Sequence, residues 1–248
     1  MLRAAALVPE TVLLVPGAAG RADVLEAERA AALEAVGRVV AAGPSRLVVV
    51  APGRRSAVHQ GALVPTLGGA GLADDSLDWR VASDPAGPDG AVVVNEVAGA
   101  VGLLLARRAG WTSEVTVLVV PPDDAAAARS RGATLAQDDV GLVVTGSLSA
   151  RHGPQAPLAD DPEAPDVDAW LVEELGRGEA GLSRAADLPA ERAVTLAISA
   201  WAPLQVLAGA AGEGGDHHTR PDGVLRGDVL HTSVVHGACY VSAAWVRG

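Results

Sequence analysis

This sequence contains no lysine and no phenylalanine, and its single cysteine is Cys239. Without lysine it cannot form a Schiff base with a carbonyl substrate or with pyridoxal phosphate, and it cannot build the phosphate-binding loop of NTPases with its usual lysine. One cysteine excludes an internal disulfide, a zinc site made of several thiolates and a redox-active cysteine pair. These absences remove several common enzyme classes.

Aromatic residues make up only 2% of the chain, whereas 49% of its residues are apolar, so valine, leucine and alanine must fill the core. The formal net charge is −11, which argues against nucleic acid and anionic membranes as partners, because both require a basic face. No apolar run is long enough to span a bilayer, and Pro9-Glu10 interrupts the first apolar segment before it could act as a signal-peptide core. We therefore expect a cytoplasmic protein.

Short valine-rich runs alternate with alanine-rich helical segments, which predicts an α/β fold with three layers and a mostly parallel central sheet. Because the runs are apolar throughout, helices should cover both faces of the sheet, and the last two strands should form an antiparallel hairpin. We expect one domain over residues 1–248, in which Pro203 kinks the last helix or marks its restart. The predicted strands are 4–8, 46–51, 115–120, 140–145, 228–236 and 239–246, and the predicted helices are 23–42, 97–108, 165–175 and 191–211.

Four segments of the chain, and a fifth with a weaker match, carry residue patterns whose order and spacing along the sequence are informative together. They are Pro9-Glu-Thr-Val-Leu-Leu-Val-Pro16, Arg46-Leu-Val-Val-Val-Ala-Pro-Gly53, Val144-Thr-Gly-Ser-Leu-Ser-Ala-Arg-His-Gly-Pro154 with Ala156-Pro157, Gly237-Ala-Cys-Tyr240 with Ala244-Trp245, and, fifth, Trp201-Ala-Pro-Leu-Gln-Val-Leu-Ala-Gly209. Together they resemble the class III extradiol ring-cleavage dioxygenases, the LigB-type catalytic subunit family. The resemblance is greatest to the divergent short forms found in high-GC bacteria.

The resemblance implies an α/β fold that holds non-haem Fe(II) with two histidines and one carboxylate, leaving positions open for catechol and dioxygen. In this chain Glu10 stands at the first histidine position, and Pro52-Gly53-Arg54 stands where the second is expected. The acid/base histidine should fall near Ala150, two residues before His152, and no motif places the carboxylate. We therefore expect a degenerate iron site without ring cleavage, no cofactor except Fe(II) by resemblance, a small aromatic molecule as partner, and a homo-oligomer by resemblance.

An alternative is an active metal-dependent oxygenase or hydrolase with a rebuilt site. Glu10 could be a metal ligand at a strand end, joined by His59 from the loop after the second strand or by His152 acting as a base or ligand. The simpler interpretation of these three residues is a solvated side chain beyond a strand or in a loop. The segment around His59 could also bind an anion through Arg54 and Arg55.

Other patterns carry weaker predictions. Ser147 and Ser149 suggest a hydrolase, but neither has the flanking glycines of a nucleophile elbow. The acidic residues between Asp160 and Asp168 could bind calcium, although a solvated helix entry is favoured. Two histidines at 217 and 218 lie in a glycine-rich segment that predicts a surface loop with adventitious metal binding.

Overall fold

The computed structural model describes residues 1–73, 79, 90–212 and 223–248. The glycine-rich segment around 217 and 218 lies outside these residues. Within them, seven strands form one sheet in the order β3-β6-β2-β7-β1-β9-β8, and β4 and β5 form a separate parallel pair. The strands are β1 (Leu2–Val8), β2 (Arg46–Pro52), β3 (Ala57–His59), β4 (Leu63–Pro65), β5 (Val92–Val94), β6 (Val115–Val120), β7 (Val140–Thr145), β8 (Leu225–Val235) and β9 (Ala238–Arg247).

The four central strands of the sheet, β6, β2, β7 and β1, run parallel. β3 pairs antiparallel with β6, β9 pairs antiparallel with β1, and β8 pairs antiparallel with β9. The predicted mostly parallel sheet with a terminal hairpin is confirmed. A two-residue turn joins β8 to β9, in which His236 and Gly237 have φ of 50° and 73°. Two successive positive φ values belong to the type I′ turn that suits the twist of a hairpin.

Helices cover both faces of the sheet, as the continuous apolar strands predict. One face packs against α1 and α2, and the other packs against α3 to α7. Alternate residues of each strand enter the two cores, so that Val48 faces one layer and Val49 the other. The helices are α1 (Glu26–Ala41), α2 (Val97–Arg108), α3 (Ala125–Leu135), α4 (Ala164–Gly176), α5 (Glu179–Ala186), α6 (Ala190–Thr195) and α7 (Trp201–Gly212). None of these helices is long and apolar enough to cross a membrane.

The single helix predicted over 191–211 is wrong, because the chain forms two helices, α6 and α7, with an irregular connection between them. In this connection Ala197 has φ of 55°, a left-handed conformation that ends α6 and turns the chain. Pro203 lies in the first turn of α7, where its missing N–H leaves no helical hydrogen bond unmade. Of the two roles expected for Pro203, the restart of a helix is therefore the one observed.

Two helices that sequence periodicity did not reveal, α3 and α5, complete the second layer. Asp124 caps the amino end of α3, because its carboxylate accepts a hydrogen bond from the Ala127 N–H at 2.8 Å. Its contact with the buried α7 is polar as well as apolar, since Arg129 Nε donates to Gln205 Oε1 at 2.7 Å. Gln205 is completely buried, and its amide nitrogen donates to the Ala186 carbonyl at 2.8 Å, so both ends of the amide have a partner.

Candidate functional site at the carboxyl edge of the sheet

The parallel strands all end at one edge of the sheet, where open α/β sheets place their binding sites. Glu10 follows β1, Gly53 follows β2, Pro122 follows β6 and Ser147 follows β7. The connection between α6 and α7 brings Ser199 to the same edge. We call this region the carboxyl edge.

Glu10 is bound by two serines at the carboxyl edge. Its Oε2 accepts a hydrogen bond from Ser147 Oγ at 2.6 Å, and its Oε1 accepts one from Ser199 Oγ at 2.6 Å. The Ser147 N–H donates in turn to Ser199 Oγ at 2.8 Å. The carboxylate thus connects the loop after β1 to the loop after β7 and to the connection before α7.

Gly146 makes this close approach sterically feasible. A Cβ at this position would lie 2.4 Å from the Cα of Ala200 and 2.7 Å from its nitrogen. Those atoms are backbone and cannot rotate away, so only glycine lets β7 reach the connection before α7. The sequence pattern shows a glycine here, but the partner it approaches lies more than fifty residues away.

A cavity of about 650 Å³ opens beside this cluster at the ends of β2 and β6. Its walls are mostly apolar, with Ile198 and Trp201 contributed by the connection and by α7. Ser199 and Arg54 are the two polar side chains that line it. A concave apolar volume with few polar groups is typical of a small-molecule site.

His152, the predicted catalytic residue, lies in the loop after β7 and contacts a carboxylate that sequence reasoning missed. Its Nε2 lies 2.6 Å from Oδ2 of Asp168, and the two side chains are 15% and 4% exposed. Asp168 also accepts hydrogen bonds from Ser149, through the N–H at 3.0 Å and through Oγ at 2.6 Å. The interpretation of all residues from 160 to 168 as a solvated helix entry is therefore wrong for Asp168.

Cys239, at the start of β9, completes this second cluster. Burial, the negative charge of Asp168 and a hydrogen bond to that carboxylate all raise the pKa of the Cys239 thiol. The thiol therefore stays protonated at neutral pH. Its backbone also joins the loop, because its N–H donates to the Ser149 carbonyl at 2.8 Å and its carbonyl accepts from Leu148 N–H at 3.0 Å.

A metal ion could in principle be held by His152, Asp168 and Cys239, whose ligand atoms all lie within 4.8 Å of one another. It is the one group of three such side chains found in the described part of the chain. These residues do not fit a ferrous site of two histidines and a carboxylate. A thiol must also lose its proton to bind a metal, and a bound cation promotes that loss.

His59 lies close to a different carboxylate from the one expected. It lies in β3, not in a loop as predicted, and its Nε2 is 3.3 Å from Oε2 of Glu96 at the start of α2. No group of three potential ligands among the described residues contains His59 or Glu10. The assignment of these two residues to a rebuilt metal site stays a prediction, and the observed contacts of each are with other side chains.

Comparison with known proteins gives the fold and no function. No protein-family model matches the chain, and no curated protein matches its sequence. The structure is similar to the crystal structure of the uncharacterized protein JW3007 from Escherichia coli K12, with a TM-score of 0.53 and 15% sequence identity. The similarity covers 98% of this chain and 99% of that one. At this identity the likeness establishes a shared fold alone.

Proposed function

We propose that this protein is a divergent member of the class III extradiol dioxygenase family that has lost its iron site and binds a small aromatic molecule without opening its ring. The observation that carries the proposal is the environment of Glu10. This carboxylate stands where the resemblance expects a histidine ligand, and both of its oxygens accept hydrogen bonds from serine hydroxyls. A carboxylate used in this way holds three loops together, and within the described residues it belongs to no group of three potential metal ligands.

The second expected ligand position supports the same proposal. Gly53 offers no side-chain donor, and a Cβ there would lie 2.2 Å from a methyl carbon of Val119. A side chain at this position therefore requires the Val119 side chain on β6 to move. What the carboxyl edge retains is the cavity beside Ser199 and Arg54, with an apolar wall suited to an aromatic ring.

Two measurements on one preparation test the proposal. The protein is incubated anaerobically with Fe(II), desalted, analysed for iron and then mixed with catechol in an oxygen electrode. We expect substoichiometric iron and no oxygen uptake.

Titration calorimetry with catechol in the presence of EDTA should show binding, and Val194→Trp should weaken this binding, because this exposed residue lines the cavity. Stoichiometric iron with ring opening would overturn the proposal.

Replacing Glu10 by histidine sharpens the test. The substitution restores one imidazole at the first expected position, but Gly53 still lacks a donor. We expect Glu10→His to remain without stoichiometric iron. Recovery of iron binding by this single change would show that the other ligands are already in place, and the site could then not be called lost.

A second candidate is acid–base catalysis, such as hydrolysis, by His152. The observation in its favour is the contact of His152 with Asp168, since a buried carboxylate orients an imidazole and leaves its other nitrogen for a substrate proton. Hydrolysis of a chromogenic aryl ester, lost in His152→Gln and retained in Val194→Trp, supports this function. Equal rates in the wild type and in His152→Gln exclude it.

A further inference from the structure

A second cavity lies on the same face of the sheet as α3, near the amino end of β2. Its volume is about 430 Å³, and it shares no lining residue with the cavity at the carboxyl edge. Arg46 begins β2 and lines this second cavity, whereas Pro52 ends β2 and lines the first. These two ends of β2 lie about 20 Å apart. We call it the lateral cavity.

The walls of the lateral cavity combine an apolar floor with a polar rim. Val48 and Leu118 form buried parts of the floor, and Val58 on β3 is an apolar side chain that is 57% exposed. An exposed valine beside a concave surface offers apolar area that a ligand can cover. Hydroxyl groups of Ser130 and Thr134 on α3 line the opposite side.

Two arginines line this cavity with hydrogen-bonding capacity to spare. Arg46 Nη2 contacts Asp138 Oδ2 at 2.9 Å and donates to the Leu135 carbonyl at 3.2 Å, but its Nε is buried and has no partner. Arg131 Nη1 donates to Ser56 Oγ at 2.6 Å, and no carboxylate pairs with this guanidinium among the described residues. A buried, unpaired N–H is unfavourable unless a ligand satisfies it.

We propose that the lateral cavity binds a small organic anion, with its oxyanion held by Arg46 and Arg131 and its apolar body on Val48, Leu118 and Val58. Guanidinium groups bind carboxylate and phosphate through charge-assisted hydrogen bonds, and both anions share the chemistry that this cavity recognises. The site is separate from the carboxyl edge, so it does not depend on the proposed function.

Titration calorimetry with three matched compounds tests this inference: 4-phenylbutyrate, 4-phenylbutyl phosphate and 4-phenylbutanol. We expect the two anions to bind and the alcohol to bind about 10-fold or more weakly, since each charge-assisted hydrogen bond lost costs about that much. The stronger of the two anions identifies which oxyanion the site prefers. Because the carboxyl edge also has an apolar wall suited to an aromatic ring, substitutions in each cavity are needed to assign the binding.

Substitutions locate the binding. Arg131→Gln should weaken binding of the anions about 10-fold and leave the alcohol unchanged, and this exposed residue can be changed without a loss of fold. Val58→Asp should also weaken the anions by placing a carboxylate at the rim. Arg54→Gln is the matched control at the other cavity and should have no effect. The inference is wrong if neither anion binds, if the alcohol binds as well as the anions, or if Arg54→Gln weakens binding as much as Arg131→Gln.

Discussion

The Nε2 atom of His152 lies 2.6 Å from Oδ2 of Asp168, and this contact fastens the loop after β7 to the buried face of α4. Ser149 donates two further hydrogen bonds to the same carboxylate, and the Cys239 thiol donates another. Asp168 is only 3% exposed, so these donors replace the water that would otherwise solvate its charge. The cluster therefore depends on a carboxylate at this one position.

Replacing Asp168 by asparagine should destabilise the fold. The amide keeps the shape of the side chain but removes the charge, and its NH₂ group faces donors that then lack an acceptor. We expect the free energy of unfolding to fall by about 2–4 kcal/mol, measured by urea denaturation. Asp166→Asn on the exposed side of the same helix is the control and should change it by less than about 1 kcal/mol. Equal losses in the two variants would contradict this account.

The reactivity of Cys239 gives a second prediction. Because its pKa is raised by burial and by Asp168, the native thiol should react very slowly with a disulfide reagent at pH 8 and rapidly after unfolding in urea. Asp168→Asn removes the negative charge and one of the two acceptor oxygens, so its native thiol should react faster than that of the wild type. A fast native reaction in the wild type would mean that the thiol is accessible and ionised.

The core of the fold could be predicted from the sequence, because valine runs and helical periodicity are local signals. The strands at 115–120 and 140–145 and the helix at 97–108 are confirmed at both ends. The break between α6 and α7 could not be predicted, since Ala197 carries no residue-type signal for a left-handed conformation. That break brings Ser199 to Glu10, and the site could be only partly predicted for this reason.

Asp168 was missed although a signal for it existed. It shares helical spacing with Ala164, Leu171 and Leu175, all buried on one face of α4. A carboxylate on the apolar face of an amphipathic helix needs a buried partner, so this spacing distinguishes Asp168 from the exposed acidic residues that precede it. The partner itself, His152, could not be deduced, because a loop histidine has no periodicity. Likewise, nothing in the local sequence links His59 to Glu96.

Glu28 on α1 should make stability depend on pH. Burial acts to raise its pKa, but hydrogen bonds from Ser233 at 2.7 Å and from the backbone, with the neighbouring His231, outweigh burial and lower it. Because the pKa of Glu28 is lower in the folded protein, its carboxylate stabilises the fold fully above the pKa of the unfolded state, near 4.5. This stabilisation is lost as the pH falls through the pKa of the folded state. Glu28→Gln should therefore be less stable than the wild type at pH 7, and the difference should shrink below about pH 4.

Urea denaturation of both proteins at several pH values between 3 and 7 measures this difference. Glu26→Gln provides the matched control, since Glu26 is exposed in the first turn of the same helix. Its difference from the wild type should be small throughout the range. If Glu28→Gln shows a constant difference at every pH, the charge of Glu28 does not contribute in the manner described.

Gly146 should be intolerant of even a methyl group. Its absent Cβ would lie 2.4 Å from the Cα of Ala200, so Gly146→Ala must push the start of α7 away from β7 and separate Ser147 from Ser199. We expect the variant to lose about 1–3 kcal/mol of unfolding free energy and to bind catechol more weakly. Gly37→Ala is the matched control, because nothing lies within 4 Å of the added Cβ on α1, and it should stabilise the helix by about 0.5–1 kcal/mol. Urea denaturation measures both effects. A loss of unfolding free energy in Gly146→Ala with a gain in Gly37→Ala supports close packing at the carboxyl edge. If Gly146→Ala is instead stabilising, β7 and α7 do not meet as described.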